Sequence, residues 1–232
     1  MADTASRLKA TNVTRRARHV AHLITGVAVL IVSALLVDEY YVTSLEHDVF
    51  QTINGAPDFL YWPAWVLMQF GNLLAVPAVF VIAIVLRRWR LAAMFGIAGV
   101  AKWYLARVVK DLVQRERPAA IFNDVIARDV PTAGLAFVSG HATVAFSLAT
   151  LAHPYVKDRR LRIAIWTVAV LVCLGRMYVG AHLPLDVIGG AGLGVAIGAL
   201  VHLILGVPSE ELPGKHELEE ENEIREAVEE PA

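Results

Sequence analysis

The chain has 232 residues, of which 56% are hydrophobic and 19% charged, and its mean hydropathy is +0.54; these values exclude an ordinary soluble domain and point to an integral membrane protein. The formal net charge of −1 conceals an asymmetry, because five Lys/Arg lie within residues 7–18 and ten Glu within 210–230, and neither tail has the character of a nucleic-acid arm. The single Cys173 excludes an intrachain disulfide and a four-cysteine metal site. In chain order, six apolar runs are long enough to cross about 30 Å of hydrocarbon: 20–37, 71–87, 91–111, 140–156, 161–181 and 185–206. No cleavage pattern follows the first, so it reads as a span and not as a cleavable signal. The stretch "FLYWPAWVLMQF" at 59–70 either extends the second run or forms a separate interfacial helix, its Tyr61, Trp62 and Trp65 suiting a membrane–water boundary.

The short loops set the expected orientation. Arg7, Lys9, Arg15, Arg16 and Arg18, "RRWR" at 87–90 and "KDRRLR" at 157–162 fall on one side, which the positive-inside rule makes cytoplasmic. The fold class expected is therefore all-α, a polytopic membrane bundle of about six transmembrane helices with both termini cytoplasmic. A basic segment at 1–19 precedes a membrane domain at 20–206, and an acidic cytoplasmic tail follows at 207–232. The acidic 38–58 segment, the 112–139 connection and "AHLP" at 181–184 then lie outside.

This topology gathers seven polar positions at one end of the bundle: Lys110, Arg117, Ser139, His141, Arg176, His182 and Asp186. Lys110 and Arg117 stand seven apart and share a face if their helix runs on to Pro118; the plain alternative is that both snorkel to the headgroups. In "FVSGHAT" (137–143), Ser139 and Gly140 open a helix whose free N–H groups favour an anion, although an ordinary serine N-cap reads the same way. His141, in that first turn, is placed to give or take a proton. Arg176 offers a guanidinium fork for phosphate oxygens. His182 and Asp186 are four apart, so the carboxylate can fix the imidazole tautomer and leave the other nitrogen free to attack. Alone, such a pair is as well explained as a helix cap; two histidines, two arginines and a lysine together are not.

"KDLVQRERP" (110–118), "VSGH" (138–141) and "GRMYVGAHLPLD" (175–186) resemble the three signatures of the type 2 phosphatidic acid phosphatases, K-x6-RP, PSGH and SR-x5-H-x3-D. This PAP2 superfamily comprises integral membrane lipid phosphatases related in active-site plan to vanadium haloperoxidases. The spacing agrees in all three, and the resemblance covers about residues 70–205. Val138 stands where the signature has proline and Gly175 where it has serine. The resemblance implies that His182 is the nucleophile, oriented by Asp186, and that His141 protonates the leaving oxygen and then activates water. Lys110, Arg117, Arg176, Ser139 and the Gly140 amide would hold the phosphoryl oxygens. It implies hydrolysis without metal or other cofactor, on a lipid phosphate such as phosphatidate, phosphatidylglycerol phosphate or undecaprenyl diphosphate held in the membrane. Arg115 falls outside the signature and is expected to face Glu116 or headgroups.

His153 and His202 read as packing or interfacial residues, and Gly190 and Gly194 in "GGAGLG" as a close-approach helix face rather than a nucleotide loop. The same residues suit a lipid phosphotransferase that passes the phosphoryl group to an alcohol. A non-enzymatic headgroup-binding membrane protein would need neither histidine, and a haloperoxidase-like oxidant does not fit a six-span bundle. No nucleic-acid partner is expected, and the sequence leaves the oligomeric state open.

Overall fold

Three helices begin on a residue whose side chain satisfies a free backbone N–H group. The computed structural model describes residues 2–37 and 42–207, with side chains described from residue 17. The acidic tail beyond Val207, Asp38 and Glu39, and the side chains of Arg7, Lys9, Arg15 and Arg16 lie outside the described residues. Within them the chain is helical: α1 (Ala2–Leu36), α2 (Ser44–Asn54), α3 (Tyr61–Met68), α4 (Ala75–Val85), α5 (Trp89–Val113), α6 (Pro118–Ile121), α7 (Gly140–Ala152), α8 (Arg159–Tyr178) and α9 (Pro184–Leu205). The extended backbone contributes only an isolated antiparallel bridge between Glu116 and Leu135. Side chains of Thr43, Ser139 and Asp158 accept backbone N–H groups at the starts of α2, α7 and α8, and Pro184 opens α9, where its missing N–H costs nothing.

The spans differ from expectation in two places. Among the described residues four helices are long and apolar enough to cross a membrane: Ala17–Leu36 within α1, α5, α8 and α9. The run at 71–87 is not continuous, because α4 has only 11 residues and is set at 62° to the preceding Asp58–Gly71 segment. Asn72 makes the break: its backbone is extended (ψ 147°) and its Oδ1 accepts from Leu74 N at 3.1 Å, a local bond that competes with helix. Counted as one, that bent pair is a fifth span. The 140–156 run gives α7, only 13 residues, followed by a 3-10 turn at His153–Tyr155, so α7 falls short of the length that the other spans reach.

α9 runs through the middle, against α1 on one side and α7 on the other. Small residues allow the approach: a Cβ on Gly194 would stand 2.5 Å from Thr143 O of α7, and one on Gly192 2.8 Å from Gly26 O of α1. The expected Gly190–Gly194 helix face is thus a packing surface, Gly190 lying equally close to Ser139 O. At one end of the bundle lie the C-termini of α5 and α8 and the N-termini of α7 and α9. The connection from α5 to α7 is clipped over that end. Asn54 Nδ2 donates to Ile126 O and Tyr178 O, both at 2.9 Å. Arg128 Nη1 donates to Asn54 O and Tyr178 O, both at 2.7 Å, and its guanidinium lies 4.2 Å from the Tyr178 ring centre. Gly180 turns the chain there with φ +78°, and a Cβ on it would meet Ile126 O at 2.7 Å. At the opposite end, Arg18, His22 and Arg162 act electrostatically on His153.

Candidate active site

The clipped end holds all seven expected positions, supplied by six parts of the chain. α5 does not reach Pro118: it stops at Val113, with Gln114 left-handed (φ 54°) and its N–H returned to Lys110 O. The condition for Lys110 and Arg117 to share a helical face is therefore not met, and Arg117 reaches the site from extended backbone after the helix (φ −74°, ψ 155°). The two still converge. Lys110 Nζ donates to Leu135 O at 2.8 Å and Ala136 O at 3.0 Å, leaving one of its three donors uncommitted. Arg117 Nη1 donates to Ala181 O at 3.3 Å, beside His182.

Ser139 is the N-cap of α7, fully buried, its Oγ accepting from Ala142 N at 3.5 Å. The capping reading holds, and the hydroxyl proton remains available to a second partner. Its backbone N–H donates to Asp186 O at 2.9 Å, which locks the start of α7 to the start of α9. Gly140 and His141 form the first turn of α7, partly accessible. Arg176, buried in the last turn of α8, has no carboxylate partner among the described residues; its Nη1 lies 3.7 Å from Met68 Sδ, and its Nε is unpartnered like that of Arg117. A Cβ on Gly175 would stand 2.9 Å from Met68 Cγ, so Met68 occupies the direction in which the signature's serine side chain would start. The Phe137–Val138 peptide, where the signature has proline, is cis.

His182 sits between α8 and α9 and is 3% exposed; Asp186, in the first turn of α9, is fully buried. Nδ1 of His182 lies 3.6 Å from Asp186 Oδ2, slightly beyond hydrogen-bond range. Burial lowers the imidazole below the ordinary histidine range, Asp186 opposing this and Arg176 and Lys110 adding to it, so His182 is neutral at neutral pH, the form in which an imidazole nitrogen has a free lone pair. Charge interactions link His141 to Arg176, His182 and Arg117, and Lys110 to Arg117 and Arg176. The result is a cluster of cationic side chains around the imidazoles of His141 and His182. Among the described residues no group of three or more His, Cys, Asp or Glu is placed to hold a metal ion.

Two buried residues behind Asp186 escaped the sequence reading. Arg115 faces neither Glu116 nor headgroups: it is 1% exposed, donates from Nη1 to Asp186 Oδ1 at 3.1 Å, and forks onto Glu46 from Nη1 (2.9 Å) and Nη2 (2.7 Å). The extended backbone at 115–117 turns alternate side chains the same way, which sends Arg115 inward with Arg117. Glu46, from α2, also accepts from Leu185 N at 3.0 Å. A buried Glu46–Arg115–Asp186 chain therefore backs His182.

Residues 87–207 match the family model described as PAP2 superfamily. The chain belongs to the PAP2 superfamily. A lipid A 4'-phosphatase of Porphyromonas gingivalis is 34% identical over 68 residues, a match that takes in 29% of each chain. A decaprenylphosphoryl-5-phosphoribose phosphatase of Mycobacterium tuberculosis is 30% identical over 144 residues, 61% of this chain and 72% of that protein. Two crystal structures share the fold: Aquifex aeolicus LpxE, with TM-score 0.64 and 24% identity over 72% of this chain and 98% of that one, and the first transmembrane PAP2-type phosphatidylglycerolphosphate phosphatase from Bacillus subtilis, with TM-score 0.60 and 22% identity over 76% and 94%. As a PAP2 protein with phosphatases for relatives, the chain is an integral membrane phosphatase.

A third residue of this PAP2 site was also missed. Lys102 of α5 reaches the start of α7, where a Cβ on Gly140 would stand 3.1 Å from its Nζ. The signal was a lone lysine inside the apolar run "GVAKWYLA", since an ionisable group at membrane depth marks a functional position by default.

Proposed function

We propose that this phosphatase hydrolyses a phosphate monoester or diphosphate of a membrane lipid, at the extracytoplasmic face, through a phosphohistidine. The observation that carries the reading is a neutral, carboxylate-backed imidazole, His182, within a set of cations, of which Arg176 has no counter-charge among the described residues. Buried cations of this kind ask for an anion.

In the first step the free Nε2 of His182 attacks phosphorus while the P–O bond to the lipid breaks. Asp186 holds Nδ1–H and offsets the charge that develops on the ring. His141, protonated on arrival of the phosphate's negative charge, gives that proton to the departing oxygen and is left neutral. Lys110, Arg117 and Arg176, with the Ser139 hydroxyl and Gly140 amide at the start of α7, hold the phosphoryl oxygens. In the second step neutral His141 takes a proton from water, whose oxygen attacks the phosphohistidine and frees inorganic phosphate and His182. The cations do the work for which other phosphatases use metal ions.

Placement of the site outside rests on the basic loops at 87–90 and 157–162, which leave both termini cytoplasmic. Phosphatidate, phosphatidylglycerol phosphate and undecaprenyl diphosphate all present a suitable headgroup, and the relatives named above act on lipids by name.

The test uses purified protein in EDTA. His182→Ala abolishes phosphoenzyme and turnover on every substrate. His141→Ala removes only the general acid, worth about 10²–10⁴ in rate, so p-nitrophenyl phosphate, with its good leaving group, is spared more than a lipid substrate. If His182→Ala is the variant rescued, nucleophile and acid are reversed. Vanadate inhibits wild type; loss of activity in EDTA with recovery on Mg²⁺ overturns the metal-free mechanism. Free phosphate released with water as sole acceptor excludes an obligate phosphotransferase.

A further inference from the structure

Among the described residues Lys102 has no counter-charge, in a place where three effects oppose a positive charge. It lies in the membrane-spanning α5, where an unpaired ammonium is costly. Its Nζ sits over Gly140, in the first turn of α7, the positive end of that helix dipole. Lys110 and His141 lie close enough to interact with it electrostatically. Among the described residues no carboxylate pairs with it and no hydrogen bond from its ammonium is seen; burial is its dominant interaction. An anion bound at that point would offset these costs and keep the ammonium charged.

The transferring phosphoryl group does not need Lys102, since Lys110, Arg117, Arg176 and the start of α7 already surround it. Along α5 the backbone of Lys102 is eight residues from Lys110, about 12 Å at 1.5 Å per residue toward the far end of the bundle, so its side chain reaches the start of α7 from the deeper side. A substrate whose tail lies in the bilayer directs its leaving portion the same way. Lys102 also stands beside His141, the residue that meets the leaving oxygen. The anion it awaits therefore belongs to the portion that departs.

We infer that Lys102 binds a second phosphate, carried on the lipid side of the scissile bond, and so selects lipids with two phosphates over simple monoesters. That phosphate is either the α-phosphate of a lipid diphosphate or a nearby phosphodiester. In the first case Lys102 also offsets the charge of a leaving lipid phosphate, which His141 alone would have to protonate. In a single-phosphate lipid such as phosphatidate the leaving portion carries no phosphate, and Lys102 has nothing to bind. The inference rests on the lipid-phosphatase reading above.

The experiment measures phosphate release from undecaprenyl diphosphate, phosphatidylglycerol phosphate and phosphatidate in the same detergent, for wild type, Lys102→Met and Lys102→Arg. Wild type shows higher kcat/KM on at least one of the first two than on phosphatidate. Lys102→Met lowers kcat/KM on that substrate roughly ten- to a hundredfold more than on phosphatidate, the worth of a charge-assisted hydrogen bond, and Lys102→Arg recovers most of the difference. The preferred substrate tells a diphosphate from a phosphodiester. Inorganic diphosphate inhibits wild type more tightly than inorganic phosphate, and Lys102→Met narrows the gap. Equal losses on all three lipids overturn the inference, because Lys102 then acts on the transferring group. A wild type with no preference and equal inhibition by the two inorganic anions overturns it even if Lys102→Met does not fold. No activity of wild type on any of these lipids sinks the lipid-phosphatase reading instead.

Discussion

Asp186 is held from three directions, and this defines what its neighbours are for. Oδ2 accepts from Leu183 N at 2.8 Å and faces His182, while Oδ1 takes Arg115, itself forked onto Glu46. Arg115 spans two carboxylates at once, so its removal leaves both buried and uncompensated, a loss of about 3–5 kcal/mol. Glu46→Gln is milder: the amide keeps an acceptor, but the charge that pins Arg115 is gone. We expect Glu46→Gln to fold with a modestly lower Tm and to lose roughly 10-fold or more in kcat, with KM within about threefold, on lipid and p-nitrophenyl phosphate alike. Slower phosphohistidine formation per folded molecule marks a positioning role; a lower Tm with unaltered phosphorylation rate would make Glu46 merely structural. Neither residue was legible beforehand, since Glu46 and Arg115 are 69 positions apart and no local pattern links them. The gathering of the seven expected positions at one end was legible because their spacings put them at helix ends on the same side of the bundle. Arg115 was misread because its extended backbone, which sends it inward beside Arg117, follows a helix end that the sequence had placed four residues later.

At the scale of elements, the reading succeeded where apolar length alone decides, as in α5, α8 and α9, and failed where a local bond or a chain reversal intervenes, as at Asn72 and Gln114. The glycines of α9 belong to the first kind. Their four-residue spacing predicted close approach, and Gly194 meets α7 backbone at a distance no Cβ tolerates. Because Ser139 N donates to Asp186 O across the same pair of helices, separating them disturbs the site. Gly194→Ala is expected to cost about 1–3 kcal/mol by overpacking, read as a lower Tm in detergent, together with reduced turnover. The matching control is Gly96→Ala in α5, whose new Cβ would meet only the Phe80 ring at 3.5 Å; removing a mid-helix glycine there is neutral or stabilising by up to about 1 kcal/mol. Equal tolerance of both changes would mean that α7 and α9 are not seated as closely as this.

For the whole molecule, the arrangement places the candidate site and the basic short loops at opposite ends. Lys110, Arg117, His141, Arg176 and His182 lie where the 114–139 connection is clipped down by Asn54 and Arg128, whereas Arg18, His22 and Arg162 gather around His153 at the other end. Lys/Arg counts in short loops decide orientation during insertion, so the end with the basic loops is the one expected to stay in the cytoplasm. A charged, impermeant thiol reagent tests this directly. The native Cys173 is buried within α8 and is replaced by alanine as background. Asp124, exposed on the clipped connection, and Lys157, exposed in the loop before α8, are then changed singly to cysteine. In intact cells Asp124→Cys is labelled and Lys157→Cys is not, and permeabilisation makes the second reactive. The reverse pattern turns the molecule over: the positive loops then lie outside, the pocket faces the cytoplasm, and its lipid must be drawn from the inner leaflet.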